Sequence, residues 1–335
     1  MYEKLKEKLQ KEPKAWLVTG AAGFIGSHLV ENLLALDQNV IGLDNFSTGH
    51  EANLTSFRPN KKFSFINGDV SNPEICAKAV KNVDYVLHQA ALGSVPRSMV
   101  DPLNSNTSNV DGFLNIINAA KDQGVKGFVY ASSSSVYGDE PNLPKFEDKL
   151  GNLLSPYAAT KKINEVYAQV YSSAYGFSSV GLRYFNVFGP RQDPMGAYAA
   201  VIPKWVFALS KGEVCTIFGD GETSRDFCYV NNVVQANILA ACTEHTKPEA
   251  LFFNVALGNR TTLKELYNLI RDRVAKKNPA VAKLGPDIQD FRAGDIKHSL
   301  ADISYIKDRL GYQAGESIEE GLDITVHWFL GRAFF

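Results

Sequence analysis

The sequence predicts an α/β protein built on a parallel, doubly wound sheet. Short apolar runs alternate with helical segments along its first 184 residues, and a glycine-rich turn directly follows the first run. Polar residues follow several later runs, at the sheet edge where such folds bind ligands. The predicted strands lie near 15–19, 39–44, 62–66, 84–88, 126–132 and 178–184, and the predicted helices near 24–36, 73–80, 102–122 and 156–175.

The first strand and helix are joined by Gly20, Gly23 and Gly26, three glycines at a spacing of three. Such a turn lets the backbone approach a pyrophosphate, and the helix N-terminus supplies N–H groups and a positive dipole end. A tight turn without a ligand is the simpler alternative. The second run ends in Asp44, which can accept hydrogen bonds from an adenosine ribose and would repel a 2′-phosphate. Together these features predict a dinucleotide site that prefers NAD to NADP.

A serine run and a tyrosine–lysine pair form the second group of signals. The strand near 126–132 leads into the serines at 132–135, and Ser155 with Pro156 is a typical helix start. Tyr157 and Lys161 lie four residues apart on that helix, which places them on one face about 6 Å apart. The spacing is common by chance, so the neighbouring serines and strand give it weight.

These residue types suit proton abstraction from an alcohol. A phenol has a pKa near 10, and lowering it by three units requires about 4 kcal/mol in favour of the phenolate. A nearby lysine ammonium and a cationic nicotinamide ring could supply that preference. A serine hydroxyl could bond both the phenol and the substrate oxygen, while nicotinamide accepts a hydride.

Four further stretches carry a family resemblance: 42–49 (GLDNFSTG), 88–91 (HQAA), 182–186 (LRYFN) and 219–227 (GDGETSRDF). From about residue 13 to 330 the chain resembles the extended short-chain dehydrogenases/reductases, within them the nucleotide-sugar 4-epimerases, and especially bacterial enzymes acting on UDP-N-acetylhexosamines. The resemblance implies an extension at 1–14 and an NAD-binding Rossmann domain at 15–187, with segments returning near 228–256. A smaller α/β substrate-binding lobe would comprise 188–227 and 257–335.

The resemblance also implies a role for individual residues, with no metal. The catalytic residues would be Ser133, Tyr157 and Lys161. Tyr157 and Lys161 would also contact the cofactor, together with Gly20, Gly23, Phe24, Ile25, Gly26, Asp44, Asn45, Ser47, Thr48, Gly49, Asp69, Val70, Gln89, Ala90, Asn109 and Tyr184. Ser133 and Tyr157 would also contact the substrate, together with Ser94, Ser134, Ser135, Asn186, Ala200, Val201, Thr216, Phe218, Arg225, Arg292, Asp295 and Ser299.

Several of these residues have simpler explanations. Asp69 could cap a strand or turn, and Asn109 could bond backbone within its helix. Arg225 and Arg292 could be surface ion-pair partners, although the planar guanidinium suits a diphosphate. His88 ends a strand, and we expect it to pack there rather than to act in catalysis.

The implied reaction is 4-epimerisation of a UDP-sugar through a 4-keto sugar. Related 4,6-dehydratases place Asp-Glu where this chain has Ser134 and Ser135, and the glutamate of related decarboxylases is missing as well. Non-catalytic NAD-binding sensors of this fold commonly lose the tyrosine or the lysine, and both are present here. Dehydration, decarboxylation and NAD sensing remain the alternative functions, and these residue differences argue against each of them.

The position of Ser299 bears on the sugar. Epimerases restricted to non-acetylated hexoses tend to have a tyrosine at the corresponding place beside the sugar C2 group, and a serine leaves room for an acetamido group. The sequence therefore favours UDP-GlcNAc and UDP-GalNAc, with UDP-Glc/UDP-Gal and the uronic acids left open. An ordinary loop serine is the alternative.

Composition restricts the possible partners and the cellular location of the protein. A net charge of −1 suggests no nucleic-acid partner, and no apolar run approaches the ~20 residues that span a membrane. The four cysteines have neither paired nor metal-ligand spacing, which favours a reduced, cytoplasmic location. Residues 2–11 are too charged for a signal peptide and predict a short helix or a frayed tail.

The family resemblance implies a homodimer through the helices at 102–122 and 156–175.

Overall fold

The structure, a computed structural model, describes residues 1–196, 199–291 and 297–331. Its strands are β1 (Ala15–Thr19), β2 (Asn39–Asp44), β3 (Phe63–Asn67), β4 (Tyr85–His88), β5 (Gly127–Ser133), β6 (Ser179–Tyr184), β7 (Val187–Phe188), β8 (Thr216–Phe218), β9 (Ser224–Arg225), β10 (Cys228–Tyr229), β11 (Ala250–Val255), β12 (Thr261–Thr262) and β13 (Asp287–Gln289). Its helices are α1 (Tyr2–Lys11), α2 (Phe24–Ala35), α3 (Pro73–Ala79), α4 (Val95–Val100), α5 (Pro102–Asn106), α6 (Gly112–Gln123), α7 (Pro156–Tyr175), α8 (Val201–Ser210), α9 (Val230–Ala241), α10 (Leu263–Ala275), α11 (Ser304–Leu310) and α12 (Ile318–Leu330).

The main sheet confirms the predicted fold class. Seven parallel strands run in the order β11-β6-β5-β4-β1-β2-β3. The chain builds outward from β1 through β2 and β3, and then returns beside β1 with β4 and builds in the other direction. This reversal opens a crevice between the carboxyl ends of β1 and β4, where ligands bind in doubly wound sheets.

Helices cover both faces of the sheet, because its strands are apolar on both sides. On one face, α2, α9 and α11 pack a core that includes Leu29, Val233 and Ile306. On the other, α3, α6 and α7 pack a core that includes Phe113 and Tyr171. The sequence analysis did not predict α9, although it expected the chain to return to the sheet in this region. Helix α9 and strand β11 make that return.

The predicted helix at 102–122 is confirmed as a continuous helical run from Pro102 to Gln123, but a π-helical segment interrupts its regular winding. Pro102 starts the short helix α5 with Asp101 as its cap, and the Asp101 Oδ1 accepts from the Asn104 N–H at 3.0 Å. A π-helical segment, Thr107–Asp111, then precedes α6. Such segments are rare and frequently lie at functional sites. A 3.6-residue periodicity cannot reveal them, because they insert a residue into the repeat.

The remaining elements form a smaller lobe with its own apolar core. Helices α8, α10 and α12 supply Trp205, Ile270 and Phe329 to this core. Strand β8 pairs in parallel with β13, and β9 pairs antiparallel with β12. Hydrogen bonds between Thr262 and Glu265 cap the start of α10, which is the sequence signature of a helix N-terminus.

The amino-terminal segment is helical rather than frayed. Helix α1 buries Leu9 against the main core, and Gln38 fastens the end of this helix to the sheet. The Gln38 amide donates to the Leu9 carbonyl at 2.8 Å and accepts from the Trp16 indole at 3.1 Å. Among the described residues, no helix is both long and apolar enough to cross a membrane.

Candidate functional site

A cleft of about 400 Å³ lies at the carboxyl ends of the central strands. It brings together the glycine turn, the acidic strand end, the serine run and the tyrosine–lysine pair. The predicted cofactor and catalytic residues that line it are Gly20, Gly23, Phe24, Ile25, Gly26, Asp44, Asn45, Ser47, Thr48, Asp69, Val70, Gln89, Ala90, Ser133, Tyr157, Lys161 and Tyr184.

The glycine turn leaves bare backbone at the floor of the cleft. Gly20 has a φ of +67°, and a Cβ there would lie 2.8 Å from the Ala90 nitrogen. A Cβ on Gly26 would lie 2.0 Å from the Gly20 carbonyl oxygen, so neither position accepts a side chain. Helix α2 starts directly after this turn with Gly23 as its cap, so no cap side chain covers its first N–H groups. The arrangement fits the pyrophosphate of a dinucleotide.

Asp44 joins the glycine turn to the loop after β2. One carboxylate oxygen accepts from the Ala22 N–H at 2.9 Å, and the other accepts from the Phe46 N–H at 2.7 Å. Burial raises the pKa of Asp44, and these backbone hydrogen bonds oppose the rise. The carboxylate faces the cleft where the adenosine ribose of NAD is predicted to bind.

Asn45 and Asp69 form the neighbouring wall. The Asn45 amide donates to the Asp69 carboxylate at 2.6 Å, and the Asn45 side-chain oxygen accepts from the Ser47 N–H at 2.9 Å. Burial alone would raise the pKa of Asp69, but hydrogen bonds from Ser71 and Asn45 outweigh it and lower the pKa. Gly49 packs behind this wall, where a Cβ would lie 2.8 Å from the Ala22 methyl group. Its cofactor contact stays a prediction.

Ser133, Tyr157 and Lys161 converge at the opposite end of the cleft. Ser133 and Tyr157 both line the cleft, where the Ser133 hydroxyl acts on the pKa of the Tyr157 phenol. The Lys161 ammonium lies 5.9 Å from the Tyr157 ring centre and donates to the Ala131 carbonyl at 2.8 Å. Desolvation raises the pKa of Tyr157, while the Ser133 hydrogen bond lowers it; burial lowers the pKa of Lys161 to about 8. Further positive charge beside the phenol is therefore needed to favour the phenolate at neutral pH.

Two asparagines support this cleft from behind. Asn109 sits in the π-helical segment, where its oxygen accepts from the Leu92 N–H at 2.7 Å and its amide donates to the Thr160 hydroxyl at 3.1 Å. It thereby ties the loop after β4 to α7, and its predicted contact with the cofactor stays a prediction. The second asparagine, Asn237 of α9, donates to the Tyr184 hydroxyl at 2.9 Å.

Sequence reasoning missed Asn237. Its oxygen accepts from the Gln89 amide at 3.0 Å, and the Tyr184 hydroxyl donates to the Gln89 oxygen at 3.0 Å. The three side chains thus form a closed triangle behind the cleft. Helix α9 also contains Asn231, Asn232 and Gln235, so the sequence offered no signal that singled out Asn237.

His88 packs at the end of β4, as predicted. Its Nδ1 lies 2.8 Å from the Thr19 hydroxyl, and its ring packs near Phe113 and Phe128. Burial lowers the pKa of His88 to about 3, and the charge of Lys161 contributes. The ring is therefore uncharged at neutral pH.

A buried ion pair lies directly behind β5, the strand that ends at Ser133, and the sequence analysis gave this pair no role. The Arg183 guanidinium binds both carboxylate oxygens of Glu165, at 2.8 and 2.9 Å, and Ser132 donates to the same carboxylate at 2.8 Å. Burial alone would raise the pKa of Glu165, but Arg183 outweighs it and lowers the pKa. These contacts connect β5, β6 and α7 next to Ser133, Tyr184 and Lys161.

The predicted substrate residues are more dispersed. Ser94 has a φ of +104° and caps α4, where its hydroxyl accepts from the Arg97 N–H at 3.2 Å. Ser134 and Ser135 begin a 3₁₀ turn after β5, and the buried Ser135 hydroxyl has no hydrogen-bond partner among the described residues. The Asn186 amide donates to the Asp226 carbonyl at 3.1 Å, outside the lining of the 400 Å³ cleft.

The other predicted substrate residues lie in the smaller lobe. Ala200 and Val201 are at the start of α8, while Thr216 and Phe218 share one face of β8. The Arg225 guanidinium donates to the Ser224 and Lys297 carbonyls, both at 3.1 Å. The Ser299 N–H donates to the same Ser224 carbonyl at 3.0 Å, which places Ser299 beside Arg225. Arg292 and Asp295 lie outside the described residues, so their roles stay predictions.

Similarity to known proteins agrees with this geometry. The sequence profile of the NAD dependent epimerase/dehydratase family matches residues 16–256. A UDP-glucose 4-epimerase of Mycolicibacterium smegmatis is 37% identical over 319 residues, which are 95% of this chain and 99% of the relative.

Two solved structures are also similar over almost their whole length. A UDP-N-acetylglucosamine 4-epimerase of Methanobrevibacter ruminantium, in complex with UDP-N-acetylmuramic acid, has a TM-score of 0.88 at 42% identity and covers 95% of this chain and 98% of its own. A UDP-glucose 4-epimerase of Thermus thermophilus in complex with NAD has a TM-score of 0.82 at 33% identity and covers 95% and 99%. With its parallel sheet, its glycine turn and its Ser133–Tyr157–Lys161 group, the chain belongs to the NAD-dependent epimerase/dehydratase family, and its cofactor is NAD.

Proposed function

We propose that this protein is a UDP-sugar 4-epimerase. The observation that carries the proposal is the convergence of Ser133, Tyr157 and Lys161 on the wall of one cleft whose other end fits a dinucleotide. The named 4-epimerases that resemble the chain over nearly its full length support the same reaction.

The residues divide the proton transfer between them. Tyr157, as the phenolate, accepts the proton of the sugar C4 hydroxyl, and Ser133 holds both oxygens through its hydroxyl. Lys161 favours the phenolate by its charge. NAD, when bound, supplies the hydride acceptor at C4 and returns the hydride. After the 4-keto sugar has turned in the pocket, the hydride would return to the opposite face of C4, and Tyr157 returns the proton to the C4 oxygen.

The preferred substrates are proposed to be UDP-GlcNAc and UDP-GalNAc. Ser299 is small, half-buried and fixed by its backbone hydrogen bond to Ser224, so it leaves space where a tyrosine would fill it. The similarity to a UDP-N-acetylglucosamine 4-epimerase at 42% identity supports this choice. UDP-Glc, UDP-Gal and the uronic acids are the alternatives that the substrate test includes.

Ser134 and Ser135 argue against dehydration or decarboxylation. These positions directly follow Ser133 in the 3₁₀ turn after β5, and a serine hydroxyl does not titrate near neutral pH. The reaction is tested by incubating the purified protein with a panel of UDP-sugars and identifying the products. We expect interconverted 4-epimers without net NADH release. A 4-keto-6-deoxy sugar, a pentose or no turnover would instead identify a dehydratase, a decarboxylase or a sensor.

The proposed assembly is a homodimer. Several apolar side chains on α4, α5 and α7 are exposed in the single chain, among them Met99 at 62%, Leu103 at 81% and Val166 at 47%. Isologous contact between two copies would remove this surface from water.

A cytoplasmic location is part of the proposal, because all four cysteines are free thiols.

A further inference from the structure

Arg191 occupies a strained position between the two parts of the molecule. It lies in the loop 189–196, which follows β7 and leads toward α8 of the smaller lobe. Its φ of +67° is in the left-handed region, which is unfavourable for a residue with a long side chain. Strain of this kind persists where surrounding contacts hold it, and it often marks a functional position.

The contacts that hold Arg191 come from α2, the helix that begins at the glycine turn. Its guanidinium lies 2.7 Å from His28 Nδ1 and forms an ion pair with Glu31. The other ring nitrogen of His28 lies 2.9 Å from the Pro190 carbonyl oxygen. The carbonyl can only accept a hydrogen bond, so a neutral His28 protonated at Nε2 satisfies both contacts. Burial and the charge of Arg191 lower the pKa of His28 to about 3, which keeps it neutral.

The Arg191 side chain is only 8% exposed, whereas Glu31 is 52% exposed, so the pair lies at the edge of the surface with its cation buried. Its guanidinium also lies 5.8 Å from the centre of the Phe57 ring. Planar guanidinium geometry allows Arg191 to bond His28 and Glu31 together, which a lysine ammonium cannot reproduce in the same arrangement.

The same loop reaches a second element of the cofactor site. Asp193 lies 3.5 Å from His50, which follows Gly49 in the loop predicted to hold the adenosine ribose. The His50 N–H donates to the Ala22 carbonyl at 3.0 Å, and this carbonyl belongs to the glycine turn. The loop 189–196 is therefore hydrogen-bonded to α2 and lies against the ribose loop through the exposed Asp193–His50 contact.

We propose that Arg191 is a positioning residue that couples NAD binding to the placement of the substrate-binding lobe, an inference that rests on the proposed function. NAD orders the first turn of α2 and the ribose loop, and Arg191 connects that order to the loop leading toward α8. Binding at one site then favours binding at the other, and the effect is reciprocal. Arg191 does not line the 400 Å³ cleft, so it acts through its contacts rather than on the reacting atoms.

The experiment measures how fast bound NAD leaves the holoenzyme, with and without saturating UDP. In the wild type we expect UDP to slow NAD release by about 10-fold, within the usual range of coupling between sites. In Arg191→Ala the slowing should fall below about 2-fold. The control is Arg271→Ala, which removes a surface arginine paired with Asp272, and it should behave as the wild type does.

If Arg191→Ala does not fold, Arg191→Lys decides the question. It keeps a charge beside Glu31 but loses the joint contact with His28, so the slowing should fall to about 3-fold. An undiminished effect of UDP in either folded variant, or no effect in the wild type, overturns the inference. Epimer formation and UDP binding by the wild type are measured separately. If both are present while the coupling is absent, only the role of Arg191 fails; if both are missing, the proposed function fails with it.

Discussion

Two buried carboxylates support the two parts of the site in different ways. Glu165, behind the catalytic strand, is 0% exposed and is paired with the equally buried Arg183. Asp226, behind the substrate strands, is also 0% exposed but accepts mainly backbone N–H groups, from Leu257 at 2.9 Å and Gly258 at 3.1 Å. Arg183 lowers the pKa of Glu165, whereas burial raises the pKa of Asp226 to about 6.

The difference shows which part of the site depends on pH. A guanidinium neutralises Glu165, so this carboxylate keeps its charge throughout the neutral range. Asp226 has no comparable cation among the groups that act on its pKa, and Cys228 and Tyr312 pack nearby as neutral groups. The backbone segments next to Arg225 and Ser299 are therefore held by a carboxylate that can take up a proton in mildly acidic solution.

The largest expected effect comes from breaking the paired carboxylate. Glu165→Gln leaves the Arg183 charge buried without its partner, so we expect a loss of about 3–5 kcal/mol in the free energy of unfolding. Urea unfolding measures this loss. The control is Glu51→Gln, which breaks an exposed pair with Arg58 and should cost less than about 1 kcal/mol. Equal effects of the two changes would contradict the importance of the buried pair.

Removing the base tests the catalytic end directly. Tyr157→Phe deletes one hydroxyl at the cleft wall, so we expect the fold and bound NAD to be kept while kcat falls at least about 10²-fold. Tyr175→Phe, an exposed change at the end of the same helix, is the control and should keep its activity. Rates and NAD content are measured for both variants. Near wild-type turnover by Tyr157→Phe would refute the assignment.

Sequence reasoning succeeded best where a site is local. The glycine turn and the Tyr157–Lys161 pair are each defined by residues within one turn or helix, and the parallel sheet brings their elements together at one edge. The support behind them depends on partners far apart in sequence, as with Asn237 and Gln89. Composition and periodicity do not encode such pairings. In the sequence, Glu165 likewise indicated only that the helix continues. Its pairing with Arg183 could not be predicted, because Arg183 lies on another element.

The pH dependence of stability sharpens the comparison at Asp226. The pKa of Asp226 is about 6 in the folded protein, whereas the ordinary pKa of an aspartate is 3.8. Between pH 3.8 and pH 6 the folded state therefore binds the proton more tightly than the unfolded state does. The resulting stabilisation is present at low pH and is lost as pH rises through about 6, with an upper scale of about 3 kcal/mol. Urea unfolding from pH 4.5 to 7.5 should show this loss in the wild type and not in Asp226→Asn. Asp272→Asn, at an exposed position, should follow the wild type. Parallel curves for wild type and Asp226→Asn would rule out this titration.

The smallest expected effect concerns substrate preference at Ser299. Its N–H is bonded to the Ser224 carbonyl at 3.0 Å, so the backbone is held and a larger side chain must enter the neighbouring space. In Ser299→Tyr we expect the sugar with a C2 acetamido group to lose about 1–3 kcal/mol of binding in the transition state, which is about 5- to 200-fold in relative kcat/KM. The comparison is kcat/KM for UDP-GlcNAc against UDP-Glc in both proteins. Ser299→Ala removes the hydroxyl without adding volume and should keep the wild-type ratio. An unchanged ratio in Ser299→Tyr would mean that this residue does not form the wall beside C2.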